Sequence, residues 1–483
     1  MSKLFVYRGI RIRKFHLHIY GFYQFIWFIP FLVGAGCYGY FVLYPYFQLN
    51  SQSDWLATLF QVLPLLGILV GGFFVVYFLS RLSYSRNGFF SRVRERRNLA
   101  NMIVENCFFT LKKRKGNSTS GRPAAKDKMK FPRIYYRNKK NLISIFLPMD
   151  GNKNQEKYMK MGTFLEDMFL ADNMGILNHK GFVEYRLLSN VEASRLKVTD
   201  MKATKESVLL MRGVSWKFNS DPHLLIGGGT GGGKTFTMMS IILALLPVAE
   251  VEICDPKDAD LSTLSRLPVF EGKVFTGLGI LGCLRRGVDD MVKRYKIMKE
   301  SPKFKMGKNY SYYDIPPKFI VIDEWAAFMT ELETMENGYK LLQEANGYMT
   351  QLILKARQAG IFIILAMQRP DGQYIQTALR DNFMFRMSVG KLSDVGYDMI
   401  FGDVNKDKHF KTKDVKGHGY LGKGGTLAQE FYSAFVPKDF DFAEAYSSYE
   451  SQVSLDLAEI ELSVSEKKDL LKEMEKNRLA TNE

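Results

Sequence analysis

Cysteine is scarce in this sequence. Its 483 residues contain four, Cys37, Cys107, Cys254 and Cys283, widely spaced and in no CxxC pair. That argues against a disulfide framework or a structural zinc site and fits a reducing compartment. Charge is missing from two long stretches, with no Asp, Glu, Lys or Arg between Lys14 and Asp54 or between Asp54 and Arg81. Acid is missing from residues 1–19, which carry Lys3, Arg8, Arg11, Arg13 and Lys14. It is nearly missing from 81–160, where 21 Lys and Arg face five Asp and Glu. What remains is 46% hydrophobic and 24% charged, which excludes a disordered tail or a collagen-like fibre. The length allows roughly two to four domains.

The net charge of +17 suggests a polyanionic partner, either nucleic acid or an anionic membrane face. Its distribution narrows that inference. Residues 161–483 sum to −3, so the excess lies in the two segments flanking the uncharged stretches. There it sets topology and can rest against anionic headgroups. Any case for DNA must come from motifs.

Two apolar runs, Gly21–Tyr44 and Leu56–Phe78, fill the uncharged stretches. Each exceeds the ~20 residues needed to cross a ~30 Å hydrocarbon core as a helix. Trp27, Tyr38, Tyr40, Tyr44, Tyr46 and Trp55 supply candidates for interfacial aromatic belts. The linker Pro45–Asp54 lacks Lys and Arg, while both outer flanks are rich in them. The positive-inside rule therefore predicts a plasma-membrane protein with two spans, both termini cytoplasmic and a short external loop. A cleaved signal peptide would have a shorter apolar core. The Gly34-Ala35-Gly36 before Cys37 lacks the aliphatic residue of a lipoprotein cleavage box. Gly67 and Gly71 have the GxxxG spacing that can let helices approach closely, but the spacing is common and they read first as ordinary membrane glycines.

The pattern divides the chain into a basic N-terminus (1–20), a two-helix anchor (21–80) and a basic juxtamembrane helix and linker (81–129). A small α+β domain (130–200), an ATPase motor (201–440) and a charged C-terminal tail (441–483) follow. Within the small domain, Arg133–Tyr136, Leu142–Leu147 and Gly181–Leu188 read as strands. Arg137–Lys140 reads as a turn and Tyr158–Asp172 as a helix. Ser465–Leu479 in the tail is charged and helix-prone.

The apolar strand Pro222–Gly227 runs into Gly228-Gly229-Thr230-Gly231-Gly232-Gly233-Lys234-Thr235, and the apolar helix Phe236–Leu246 follows. Strand, GxxxxGK[ST] loop and helix in that order are the context of a P-loop. Its glycines let backbone N–H groups close around ATP phosphates, and the helix N-terminus adds a favourable dipole. Lys234 is then the residue that reaches the β- and γ-phosphates, and Thr235 a Mg²⁺ ligand. A strand at Val251–Cys254 ends in Asp255-Pro256-Lys257, and another at Lys318–Ile322 ends in Asp323-Glu324. Asp323 is expected in the Mg²⁺ shell and Glu324 as general base toward water. A fourth strand, Ile361–Ala366, ends in Met367-Gln368-Arg369-Pro370. Gln368 is placed to sense the γ-phosphate, because strand C-termini converge on the ligand crevice of such sheets.

Together these residues resemble the FtsK/SpoIIIE family of hexameric DNA-translocating ATPases. The resemblance covers about 205–437. It is carried by the P-loop, Asp255-Pro256-Lys257, Lys293-Arg294-Tyr295, Ile320–Ala327, and Lys355-Ala356-Arg357-Gln358-Ala359-Gly360-Ile361 running into Gln368-Arg369-Pro370. It implies a RecA-like P-loop ATPase domain, which with the two-helix transmembrane anchor and the small α+β intermediate domain read above gives an α/β fold. It also implies a homo-hexameric ring that moves DNA, with Arg357 as a trans-acting arginine for the neighbouring subunit's site. The segment Gly390–Lys416 is a candidate DNA-contacting pore loop.

Chromosome-segregating members of that family have more spans, a long linker and a C-terminal winged-helix module. The two spans, single motor and short tail here are more similar to the TcpA-like coupling ATPases of conjugative plasmids and integrative elements in Gram-positive bacteria. That resemblance implies a relaxase and conjugation-channel proteins as partners. Type VII protein-export motors, which share this kind of domain, a plasmid or chromosome partition pump and an inactive scaffold are the alternatives. Export motors usually string several ATPase domains together, and intact Lys234, Thr235, Asp323 and Glu324 argue against a scaffold.

Overall fold

The computed structural model describes residues 7–49, 55–85, 88–112, 128–139, 141–229 and 231–453. They fall into two compact units, Met1–Ser189 and Asn190–Glu483.

The first unit contains two long apolar helices, Ile19–Tyr38 and Trp55–Ser85. Both are long and apolar enough to cross a bilayer. Their apolar side chains point outward, with Phe25, Phe60, Phe74 and Phe78 each more than half exposed. A helix in a soluble core would bury such side chains. The helices touch where a Cβ on Gly72 would meet the Phe31 ring at 2.4 Å. Gly67 and Gly71, singled out by their spacing, have open space around them. Helical structure continues through Pro45 to Leu49, where the sequence suggested a loop. A π-helical turn at Gly39–Leu43 precedes the proline, and Tyr44 N–H donates to Gly39 O, five residues back. Such a widened turn adjusts a helix locally around a residue that has no N–H.

An antiparallel five-stranded sheet forms the rest of this unit. Its strands, in spatial order, are Ile10–Arg11, Tyr135–Lys139, Leu142–Pro148, Phe182–Leu188 and Asp172–His179. Ile143, Ile145 and Leu147 pack in one core with Leu99, Ala100 and Ile103 of the helix Phe89–Glu105. The small domain therefore includes the N-terminal strand and the juxtamembrane helix, and its compact unit ends at Ser189, not at 200. Two further expectations are corrected. Arg137–Lys139 belong to a strand, and the reversal lies at Asn141, with φ of +67°. Tyr158–Asp172 is interrupted. Helix Gln155–Met159 stops at Lys160, helix Gly162–Phe169 ends at left-handed Leu170, and Asp172 opens a strand.

The second unit is built on an eight-stranded sheet. In chain order its strands are β1 (Leu224–Gly227), β2 (Glu250–Cys254), β3 (Val274–Phe275), β4 (Lys318–Asp323), β5 (Ile361–Met367), β6 (Phe385–Val389), β7 (His418–Lys423) and β8 (Gln429–Tyr432). Their spatial order is β3-β2-β4-β5-β1-β6-β7-β8. The strands from β3 to β6 in that order are parallel, and β7 and β8 are antiparallel additions. The central strands read as continuous apolar runs because helices or loops cover both faces. Phe319 and Phe362 meet Trp216 and Phe218 on one face, all four fully buried. Ile320, Ile322, Ile363 and Leu365 pack on the other against Leu284, Phe328 and Leu352. Each such side chain contributes roughly 1.5–3 kcal/mol of burial. One strand, β5, separates the P-loop strand from the strand that ends in paired acids. The end of β5 thus lies between them.

Candidate functional site

The loop after β1 is shaped by close packing. A Cβ on Gly232 would lie 2.6 Å from Val389 O and 2.9 Å from Gly390 Cα. The φ of Gly233 is +99°, a left-handed value that favours glycine just before the helix Lys234–Leu245 begins. Gly417 N–H donates to Gly232 O at 3.3 Å, so the connection into β7 also braces the loop. Gly228, Gly229 and Gly231 lie on the same turn. Thr230 is outside the described residues. Thr235 is half-buried in the first helical turn.

Lys234 Nζ is 3.2 Å from both Asp323 Oδ1 and Glu324 Oε2, at the C-terminal end of β4. Gln368 N–H, past the end of β5, donates to both Glu324 oxygens at 3.1 Å. The structure thus brings Lys234, Asp323, Glu324 and Gln368 to one point. Glu324 is buried and holds a φ of +64°, a conformation that costs about 1 kcal/mol or more and aims the carboxylate into the crevice. Burial pushes the Asp323 carboxyl above its usual range, against the pull of Lys234 and with Asp255 and Glu324 adding to the rise. Asp323 Oδ1 is buried with no hydrogen bond in line, although Lys234 stands beside it.

Two further residues complete this crevice. Asp255, at the end of β2, accepts N–H bonds from Lys257, Ala259 and Ser262 and fixes that loop. Lys257 Nζ then reaches Glu324 Oε2 at 3.5 Å. Three carboxylates face two lysines, leaving one net negative charge. Asp323 Oδ1, a hard buried oxygen faced by the Lys234 ammonium alone among the described donors, fits a Mg²⁺ ion once Lys234 turns to phosphate. The pairing of Lys257 with Glu324 was not foreseen, although Asp255-Pro256-Lys257 stood out as a block. The bracing by Val389–Gly390 and Gly417 has no sequence signal, because it depends on how distant strands pack.

Arg357 is placed elsewhere. It precedes β5, whose seven residues put about 20 Å between its two ends. Arg357 Nε donates to Asn219 O at 3.0 Å. It borders an open cavity of about 670 Å³ lined also by Tyr295, Lys308, Asn309 and Gln358. The blocks Lys293–Tyr295 and Lys355–Ile361 meet here. Arg294, fully buried, donates to Pro316 O and Ala359 O at 2.8 and 3.2 Å, and Tyr295 OH donates to Lys355 O at 2.6 Å. Gly360, with φ of +80°, is needed because a Cβ would meet the Tyr310 ring at 2.4 Å. The segment Gly390–Lys416 is not one free loop. It contains the helix Asp394–Phe401, whose Tyr397, Ile400 and Phe401 form a small core with Phe410 and Tyr420.

With this geometry in place, comparison with known proteins is informative. The FtsK/SpoIIIE family matches residues 192–313. The FtsK domain-containing protein YdcQ of Bacillus subtilis is 39% identical over 401 residues, spanning 82% of this chain and 80% of that protein. The DNA translocase FtsK of Borreliella burgdorferi is 27% identical over 224 residues, 43% of this chain and 26% of its own length. Among solved structures, the pCW3 conjugation coupling protein TcpA with ATPγS is 19% identical, with a TM-score of 0.42, over 63% of this chain and 89% of that one. EssC (ATPases 2 and 3) of Geobacillus thermodenitrificans is 15% identical, with a TM-score of 0.40, over 59% of this chain and 52% of that one.

Proposed function

The chain belongs to the FtsK/SpoIIIE family of ATPases, and from that premise we propose that it is a membrane-anchored, ATP-driven DNA motor. Its role in this reading is that of a coupling protein bringing a relaxase–DNA complex to a conjugative transfer channel. The observation that carries the motor is the convergence of Lys234, Asp323, Glu324 and Gln368 beside the glycine loop. DNA as the moved polymer is supported by the alignment of the motor with DNA translocases named FtsK. The conjugative role is supported by one motor joined to two apolar helices long enough to cross a membrane.

In this reading Lys234 leaves its two carboxylates and binds the β- and γ-phosphates of ATP. Thr235 and Asp323 hold Mg²⁺, which when bound screens the phosphate charge. Glu324, freed from Lys234, takes the proton of the attacking water. Gln368 keeps Glu324 aimed through its N–H and presents its amide to the phosphate. Arg357 is too far from its own site and acts on the next copy's, which makes a closed ring, a hexamer, the working form. The basic flanks of the spans keep both termini in the cytoplasm.

The test is conjugative transfer by cells carrying Lys234→Ala, with a pull-down for relaxase. Transfer should fail and relaxase should co-purify with the wild type. Small secreted proteins captured without relaxase would favour protein export instead. Normal transfer by the variant would refute the motor role.

A further inference from the structure

A cavity of about 540 Å³ lies at the basic end of the two apolar helices. Three arginines open onto it, Arg81 from the end of the helix Trp55–Ser85 and Arg94 and Arg97 from the helix Phe89–Glu105. Tyr20, Tyr77, Ser80 and Asn98 also line it, and among the described residues no lining side chain is acidic. Arg94 and Arg97, three residues apart, share a helix face and repel each other. Burial holds Arg94 below the usual arginine range, and the charge of Arg97 adds to the effect.

Tyr20 and Tyr77 steady Arg97 and Arg81 without neutralising them. Arg97 Cζ is 5.6 Å from the Tyr20 ring centroid. Arg81 Cζ is 6.0 Å from that of Tyr77, and Arg81 Nη1 donates to Tyr77 OH at 2.7 Å. A ring face attracts a guanidinium but brings no counter-charge. Arg97 Nε is buried without a hydrogen-bond partner. Leaving such a donor unmet is costly, and an anion in the cavity would meet it.

We propose that this cavity binds the phosphate of one anionic phospholipid headgroup. The proposal rests on the reading that the two helices cross a membrane. Position favours a lipid. Tyr20 and Gln24 of the first helix lie 3.5 and 3.3 Å from Ser80 of the second, so the cavity sits where both helices leave their apolar stretch. At the same end, the Trp27 and Phe89 rings stack 6.3 Å apart and are each about 40% exposed. An amphiphile covers these rings with an acyl chain while its phosphate meets the arginines. A bare polyanion leaves the rings uncovered. Basic pockets at the cytoplasmic ends of membrane helices bind such headgroups.

The experiment uses the full chain, purified in detergent and studied by native mass spectrometry and thermal shift. The probes are phosphatidylglycerol and phosphatidylcholine. The wild type should hold one phosphatidylglycerol in preference to phosphatidylcholine. Arg94→Gln/Arg97→Gln should bind it roughly 30-fold more weakly, from about 1 kcal/mol per arginine. Arg94→Lys/Arg97→Lys should keep most of the preference, which separates loss of charge from loss of fold. Equal binding of the two lipids, or undiminished binding by the Gln variant, would overturn the proposal. So would stabilisation by inorganic phosphate equal to that by the lipid, or displacement of the lipid by a short DNA duplex. Release of the chain from membranes by alkaline carbonate would refute the spanning reading. An integral chain with no lipid preference would refute the headgroup site alone.

Discussion

Glu324→Gln is the sharpest probe of the nucleotide site. The substitution keeps the side chain's size and one carbonyl oxygen to accept the Gln368 N–H. It removes the negative charge that Lys234 and Lys257 now face at 3.2 and 3.5 Å. If Glu324 is the general base, hydrolysis loses the ~10²–10⁴-fold that a positioned proton acceptor contributes, about 3–5 kcal/mol of barrier. Binding should change in the opposite sense. Lys234 must break its pairing with Glu324 to reach phosphates, and an ion pair of this kind is worth roughly 1 kcal/mol. Nucleotide affinity should therefore hold or rise by up to about fivefold. Steady-state hydrolysis and equilibrium binding of a fluorescent nucleotide, measured on the same preparation, separate the two effects. Hydrolysis within about threefold of wild type would refute the base assignment. A parallel loss of binding would show that the carboxylate only holds the site together.

Lys234→Ala should weaken ATP binding at least tenfold, measured by equilibrium titration, since it removes the P-loop lysine that reaches the phosphates. Arg357→Ala should leave nucleotide binding by the monomer within about twofold while cutting hydrolysis in the assembled ring by ~10³. Adding an Arg357→Ala, Lys234-intact subunit to a Lys234→Ala, Arg357-intact one should restore activity if the arginine acts between copies. Gly360→Ala should destabilise the motor by about 2 kcal/mol or more through its left-handed φ and the Tyr310 clash, read as a lowered unfolding midpoint. His223 is fully buried. It donates from Nε2 to Ile353 O and accepts from Ile363 N–H at Nδ1, and burial lowers its pKa to about 4. A folded pKa below the unfolded value of 6.5 means that its contribution is fully present above pH 6.5 and is lost as pH falls toward 4. That loss, up to about 3 kcal/mol, should shrink when His223→Asn is titrated over the same range.

The convergence of residues at the candidate site was legible because its signals are local. A glycine loop between an apolar strand and an apolar helix, and acids directly after another apolar strand, are contiguous signals. Parallel strands align their C-terminal ends, so Lys234, Asp323, Glu324 and Gln368 had to converge. Lys257 was harder, since its partner lies on the neighbouring strand and only the capping by Asp255 fixes its reach. The Lys293–Tyr295 and Lys355–Ile361 blocks stood out without a reason in the sequence. Their reason is tertiary, through Arg294 and Tyr295 bonding to backbone carbonyls around Arg357. In the first unit the sequence divided residues that the fold joins. Ile10–Arg11 and the arginine-rich helix Phe89–Glu105 look like solvated flanks in composition. Yet Ile12, Leu99 and Ile103 are buried with the sheet. Charge on one face of a helix hides an apolar stripe on the other. Gly67 and Gly71 behave as ordinary membrane glycines within the chain, because helix contact depends on which face turns inward, and that face carries Gly72.

The central claim is that hydrolysis in the crevice of Lys234 and Glu324 drives DNA movement at a membrane. The most direct measurement is ATP hydrolysis by the full chain in lipid nanodiscs, with and without single- or double-stranded DNA. The account predicts severalfold stimulation by at least one form of DNA, absent in Glu324→Gln. Hydrolysis that is indifferent to both forms would contradict it.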